Sequence, residues 1–422
     1  MLNRMMAVLI GLSLTATAVA GEPAQQQNWP RWRGPGDNGS TAIGKYPASF
    51  SSTKNVLWKT ELPGLGCSTP IVWNGKIMLT CAAEGQDALL AFDWSGKKRW
   101  TTTIGRERKG KHRNGSGSNP SAATDGSHVF VYFKSGNLAG LDLDGKLLWK
   151  TNLQERFGKD SLYWDLGTSP VLTKTDVVVA IMHKGESFLL AFDKLTGELH
   201  WKTSRNYKTP VEGDHSYATP IVVQRDGHEI ILVWGAEHVT AHTATDGREL
   251  WACGGFNPEE RGNWVAVASF VLVNDVAVIP YGRGSRLAGV SVGGSGDVTA
   301  THRRWTREDS GSFVPTPAAA GGRVFVVRDK GEVECVNAVD GKTVWKGAFP
   351  KNRAKYYASP TIADGKLYAP REDGVLMVAN IADGFNFLSE NNMGERLIAS
   401  PVPVDSRLLI RGERHLFAIG QR

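Results

Sequence analysis

The sequence predicts an all-β protein: an eight-bladed β-propeller of four-stranded blades, closed by an N-terminal strand pairing with the C-terminal blade. Three observations carry that prediction. A hairpin motif ending in tryptophan recurs along most of the chain, a second marker recurs in step with it, and the two ends hold incomplete units that complete each other.

The motif is clearest in Ala191-Phe192-Asp193-Lys194-Leu195-Thr196-Gly197-Glu198-Leu199-His200-Trp201. An apolar strand ends in Ala-Phe-Asp, a Thr-Gly turn supplies a left-handed position, and a second strand carries Trp four residues past the Gly. The frame returns at Gly96 and Trp100, Gly145 and Trp149, Gly247 and Trp251, and Gly341 and Trp345. With Trp58 and Trp305, seven of the 14 Trp occupy this slot.

The second marker is a small or polar residue before Pro, at Thr69, Asn119, Ser169, Thr219, Thr316, Ser359 and Ser400, with Ser269-Phe270 filling the remaining place. The intervals are 50, 50, 50, 50, 47, 43 and 41 residues, a length suited to one four-stranded blade. Each copy contains short β-branched runs parted by Gly, Asn and Asp, without the spacing of three and four that a helical repeat requires.

From the N-terminus, residues 1–20 have the form of a signal peptide, with Arg4, an apolar stretch and Ala18-Val19-Ala20, so cleavage is expected before Gly21 and the protein is expected to be exported, periplasmic or secreted. No later stretch is long and apolar enough to span a membrane, and an integral membrane protein is not expected. Residues 21–54 form an arm rich in Trp, Pro and Gly around Trp29-Pro30-Arg31-Trp32-Arg33-Gly34-Pro35. Its indoles are expected to plug the propeller, with an aromatic and basic ligand site as the alternative. The propeller itself is assigned to residues 55–422. Residues 55–60 are a Trp-bearing strand without a hairpin partner, and the chain ends where such a strand should follow residues 416–419, so the two ends are expected to pair.

The repeat resembles the tryptophan-docking motif of propellers of the pyrroloquinoline quinone (PQQ) repeat family, in which each Trp packs into the neighbouring blade. That family includes quinoprotein alcohol dehydrogenases and BamB-type outer-membrane assembly scaffolds. The opening Trp29-Pro30-Arg31-Trp32-Arg33-Gly34-Pro35, followed by Asn55-Val56-Leu57-Trp58-Lys59, looks most like a third, BamB-like set of exported repeat proteins of planctomycete type. The sequence departs from the pattern at Leu388, where blade seven should carry Trp, and in lacking a Gly four residues before Trp305. The dehydrogenase branch implies a quinone between a Trp and an adjacent-Cys disulfide, with a calcium ion and an Asp base. The four cysteines here, at 67, 81, 253 and 335, include no adjacent pair, and the chain has no Cys-x-x-Cys-His haem motif. No cofactor is therefore expected, and PQQ with calcium is the alternative.

Other chemistry is sparse: the sequence holds no nucleophile elbow, zinc-protease helix or Walker loop. His238 and His242 are four apart in strand context, where a cross-strand surface pair is expected over a metal pair. Cys67 and Cys81 would face each other if residues 73–75 made a three-residue hairpin loop, and would not if Asn74-Gly75 made a two-residue loop. The net charge of +7 suits acidic partners but does not require them. The run Arg106, Arg108, Lys109, Lys111, His112 and Arg113 is expected to be a mobile, solvated loop, with phosphate or acidic polymer binding as the alternative.

The loops between each Trp and the next marker emerge on one face of the disc, where function is expected. Trp164, Asp165, His215, Tyr217, Trp264, Asp309, Phe313, Tyr356, Tyr357 and Arg396 lie just before the markers and are the candidate ligand-binding funnel. No catalytic or metal-binding residue is assigned. The expected function is an exported binding or scaffolding module, monomeric, engaging a protein or extracellular polymer through the loop face and no nucleic acid. A PQQ-dependent alcohol or sugar dehydrogenase is the alternative.

Overall fold

The computed structural model describes residues 27–421, so the expected signal peptide and its cleavage point lie outside the described residues. The chain forms eight sheets in sequence order, each with four antiparallel strands, arranged as an eight-bladed propeller. Blade one shows the pattern: Ile71–Trp73, Lys76–Ala83, Gln86–Phe92 and Lys98–Arg106 run from the channel outward. The two middle strands are nearly all buried because neighbouring blades cover both faces, which is why they read as continuous apolar runs. The outer strand alternates along most of its length. Among the described residues helix is confined to short segments, Leu153–Phe157, Thr299–His302 and a single 3-10 turn, and none of them is long and apolar enough to cross a membrane.

The docking motif explains its own composition. Asp193 caps the turn by accepting from the amides of Leu195 and Thr196. Gly197 has φ +73°, and a Cβ there would sit 2.5 Å from the Trp149 ring of the preceding blade. Glycine is thus required by backbone conformation and by the approach of the indole. Trp58, Trp100, Trp201 and Trp305 lie in the same way on Gly96, Gly145, Gly247 and Gly341. The indole Nε1–H donates to the carbonyl after the capping residue: Trp58 to Trp94, Trp149 to Lys194, Trp201 to Ala244 and Trp305 to Ala338, at 2.8–3.1 Å. Trp100 lacks this bond because the Lys76 ammonium takes the Leu143 carbonyl instead.

Three docking positions depart from the pattern, the first being Trp345, which packs on Phe385 and leaves its Nε1 unpartnered among the described residues. In blade five none of the turn glycines meets Trp251, and the connection folds back so that Gly296–Asp297 pairs in parallel with the Trp251 strand. In blade seven the position opposite Val378 belongs to Ser389, while Leu388 occupies the bulge before it and is exposed. Placing the missing Trp at Leu388 was therefore wrong by one residue, because the turn of blade seven is one residue longer. The seam between blades seven and eight is filled by the arm: Tyr46 and Phe50 pack there with Tyr368, Val378, Leu408 and Phe417. Ser389 and Asn391 hold the arm by donating to Ala48 O, and Asn391 Oδ1 accepts from Phe50 N at 2.7 Å.

The ring closes where the sequence places the closure. Val56–Glu61 pairs antiparallel with His415–Ile419, making the outer strand of blade eight from the N-terminal end of the propeller. Upstream, the arm crosses the disc on the side of the first hairpin turns. Gln27 bonds to Asp405, Trp29 bridges Val72, and the buried Arg33 donates to Pro317 O and Pro360 O on the far side. Ser40–Thr41 then pairs in parallel with the inner strand of blade seven.

A further device joins the blades around the channel. The backbone amide at each marker donates to the marker hydroxyl of the next blade, from Thr69 through Ser121, Ser169, Thr219, Ser269 and Thr316 to Ser359, at 2.8–3.0 Å. Ser400 donates to Thr69 at 3.2 Å across the closure. In blade two the participant is Ser121, two residues past the Asn119 chosen from sequence, because Asn119-Pro120 mimics the small-residue-Pro step one pleat early. Asn119 instead accepts from Ser116.

The hairpin of blade one turns on Asn74-Gly75, both with positive φ, and pairs Trp73 with Lys76. This is the two-residue loop, so Cys67 and Cys81 are out of register; both are free thiols, bonded to Asn114 O and Gly64 O.

Candidate functional site

The loop face contains a cavity of about 400 Å³ at the head of the channel. Six of the eight marker residues, all but Thr219 and Ser269, line its lower wall, and Trp32 of the arm forms its floor. The channel is therefore a cup open on one side. Trp164, Tyr217, Phe313 and Tyr357 supply aromatic walls, with His112, Asn114 and Arg283 as polar groups. His112 packs edge-on against Trp164 at 5.4 Å and lies 6.1 Å from Tyr357, and the Arg283 guanidinium stacks on Phe313 at 4.4 Å. Large rings with a few polar groups in a concave wall suit recognition of an apolar or amphipathic ligand.

Asp165 is the one carboxylate in this lining. It is buried, pairs with the equally buried Lys134, and accepts from the amides of Lys111 and His112. A carboxylate held by an ammonium and two amides organises a loop and has little capacity left for a metal. The loop it organises is the basic run. Arg108 pairs with Asp160, Lys111 Nζ donates to Leu162 O, and Arg113 and Asn114 reach across to Glu372 of blade seven at 3.1 and 2.7 Å. The run expected to be a solvated loop is in part a tied strap over the channel mouth: Arg108, Lys111 and Arg113 are partnered by residues beyond the run, while Arg106 and Lys109 are exposed.

Of the predicted funnel, Trp164, Asp165, Tyr217, Phe313 and Tyr357 line the cavity, and Trp164 N donates to the Tyr217 hydroxyl at 2.9 Å. The other five lie outside its lining. His215 is buried, with its Nδ1 unpartnered among the described residues and its pKa lowered by burial. Trp264 packs beside Tyr281 and under the Arg286 guanidinium. Asp309 is an exposed partner of Arg307, whose bidentate hydrogen bonds bring its carboxyl down to about 2. Tyr356 is stacked under Phe349, its pKa pushed up to about 12 by burial. Arg396 bonds the strap at Arg113 O and Asn114 Oδ1. The funnel prediction missed His112, which it had left in the basic run, and also Asn114, Arg283 and Trp32. Arg283 carries a positive-φ signal only the structure reveals.

His242 is fully buried, which overturns the surface-pair reading: its Nδ1–H donates to Gly247 O and its Nε2 accepts from Thr240 Oγ1. His238 stacks on Tyr207 at 3.8 Å. No group of three metal-ligating side chains is assembled among the described residues. The dehydrogenase branch of the resemblance implies a calcium-bound quinone. With one carboxylate, already bonded to an ammonium and two amides, and a single free thiol, Cys67, the residues that line the cavity do not fit that group.

Comparison with known proteins agrees with the architecture. The outer membrane protein assembly factor BamB of Yersinia pestis is 23% identical over 380 residues, covering 87% of this chain and 88% of that protein. Among solved structures, BamB from Moraxella catarrhalis superposes with TM-score 0.62 at 14% identity, covering 87% of this chain and 97% of the other. The quinohemoprotein alcohol dehydrogenase from Comamonas testosteroni gives 0.70 at 12% identity, covering 94% and 81%. At such identities the structural likeness speaks for the fold alone. The profile of the family described as outer membrane protein assembly factor BamB matches residues 26–252 and 235–386, and this chain belongs to that family.

Proposed function

We propose that this protein is an exported binding module that holds an extended segment of a partner protein in the aromatic mouth of its channel. The observation that carries the reading is the cup itself: about 400 Å³, floored by Trp32, with the half-exposed Trp164 at its mouth. Exposed aromatic rings on a rigid scaffold give contact area at small entropic cost, and such positions dominate binding energy at interfaces. The family description, an assembly factor, favours a protein partner over a polymer. Export is supported by the form of residues 1–20. The oxidoreductase reading loses support from the saturated state of Asp165.

The test is fluorescence anisotropy with a urea-unfolded outer-membrane β-barrel, labelled and diluted into the purified protein, with a folded barrel as control. Removing two aromatic anchors in Trp164→Ala/Tyr357→Ala should weaken binding at least about tenfold, the loss expected of hot-spot residues. No binding by the wild type, or equal binding by the variant, sinks the reading.

A further inference from the structure

Arg411 is a buried arginine without an acid. It ends the strand Arg407–Arg411 of blade eight and is 1% exposed. Its Nη1 donates to Ser68 O at 3.0 Å, to Thr80 O at 2.8 Å and to the Ser68 hydroxyl. Nε and Nη2 find no partner among the described residues. Burial pulls its pKa down; the thiols of Cys67 and Cys81 lie beside it, and burial raises both, Cys67 to about 11, so neither is a thiolate at neutral pH. A buried charge left uncompensated in this way costs several kcal/mol.

Beside the guanidinium lies a separate chamber of about 30 Å³ between blade eight, blade one and the strap. A space of this size has room for a water molecule or a small ion. Arg411, Arg396, Arg113, Ser116, Cys67 and Glu413 are among its walls. Arg113 is neutralised by Glu372. Arg396 and Glu413 are one charge of each sign, which leaves Arg411 as a surplus of one positive charge. We infer that this chamber binds one monovalent inorganic anion of halide size, which takes the free N–H groups of Arg411 and ties blade eight to blade one and to the strap. A water molecule would satisfy the donors without balancing the charge.

Crystals of the purified protein soaked in sodium bromide should show an anomalous peak at hydrogen-bond distance from Arg411 Nη2. In solution, the melting temperature should rise saturably with chloride, by about 3 °C over sodium gluconate at matched ionic strength, since gluconate cannot enter and binding to the folded state alone stabilises it. Arg396→Met, which removes one cation and leaves Arg411 in place, should shift the chloride dependence to higher concentration. Ordered water with no bromide peak overturns the inference, as does an equal melting temperature in the two salts. A peak without any chloride dependence marks an adventitious ion only and also overturns it.

Discussion

Phe50 sits where a docking tryptophan is missing, and truncating it measures what the arm contributes to the ring. Its side chain is 3% exposed in the seam between blades seven and eight, against Val378, Ile410 and Phe417. Its backbone amide bond to Asn391 survives substitution, so Phe50→Ala removes the ring and leaves a cavity. Emptying such a core site should destabilise by about 3–5 kcal/mol. That is roughly two to almost four powers of ten in the folded-to-unfolded ratio, out of a typical total of about 5–15 kcal/mol. Urea unfolding followed by tryptophan fluorescence and far-UV circular dichroism gives the number if the two transitions coincide. Hydrogen exchange should locate it, with the strand Asn386–Asn392 losing protection before the middle strands of blade three. A loss below about 1 kcal/mol, or unchanged exchange in that strand, would refute the claim that the arm substitutes for the indole.

Trp201→Ala should cost a similar 3–5 kcal/mol, because the ring is buried and its Nε1–H is bonded to Ala244; a wild-type urea midpoint would contradict docking. Deleting residues 21–60 removes the outer strand of blade eight and should lower the melting temperature sharply by exposing the Leu416 edge, whereas an unchanged value would argue against strand closure. His242 is held neutral, its pKa lowered from 6.5 to about 4 by burial. Between those values the unfolded chain binds a proton that the folded chain refuses, so its contribution is complete above pH 6.5 and falls on acidification by up to about 3 kcal/mol. Asp37 and Asp87, both raised to about 6 by burial, act in the opposite sense. The measurement is therefore the difference between wild type and His242→Gln from pH 7 to 4; parallel curves would remove His242 from the account. Thiol titration of the unfolded protein should find four free cysteines, and a count of two would restore the Cys67 to Cys81 bond.

The blades were legible because each depends on residues with no substitute. Gly197 needs a positive φ and lies against an indole, so the Gly-to-Trp spacing survives while the rest of the motif drifts. Closure was legible because unpaired strands at both ends must be covered. The funnel was legible only in part. Nearness to a marker in sequence fixes which loop a residue is on and says little about its distance from the axis, so Tyr357 reaches the cavity while its neighbour Tyr356 turns under Phe349. Asp309 follows an outer strand and stays beside Arg307. The strap looked like a solvated charge run because its partners, Asp160 and Glu372, are distant in sequence and carry no local signal. Tyr46 and Phe50 gave no warning either: apolar residues in an aperiodic stretch have no pattern to betray what they bury.

The ring of marker hydroxyls is continuous from Ser400 through Thr69 to Ser359, and among the described residues the amide of Ser359 has no corresponding bond to Ser400. That single break faces the seam that lacks an indole, and the arm lies across it. A chain made from its N-terminus must therefore hold its first described residues in waiting. Gln27 meets Asp405 across 378 positions, and blade eight lacks its fourth strand until Val56–Glu61 is recruited. Seven blades can form from local hairpins as they are synthesised, but locking the circle is an event of very high sequence separation, and such steps are slow. The expected late intermediate is an open crescent whose two free edges match each other, prone to pair with a second crescent before it finds its own end.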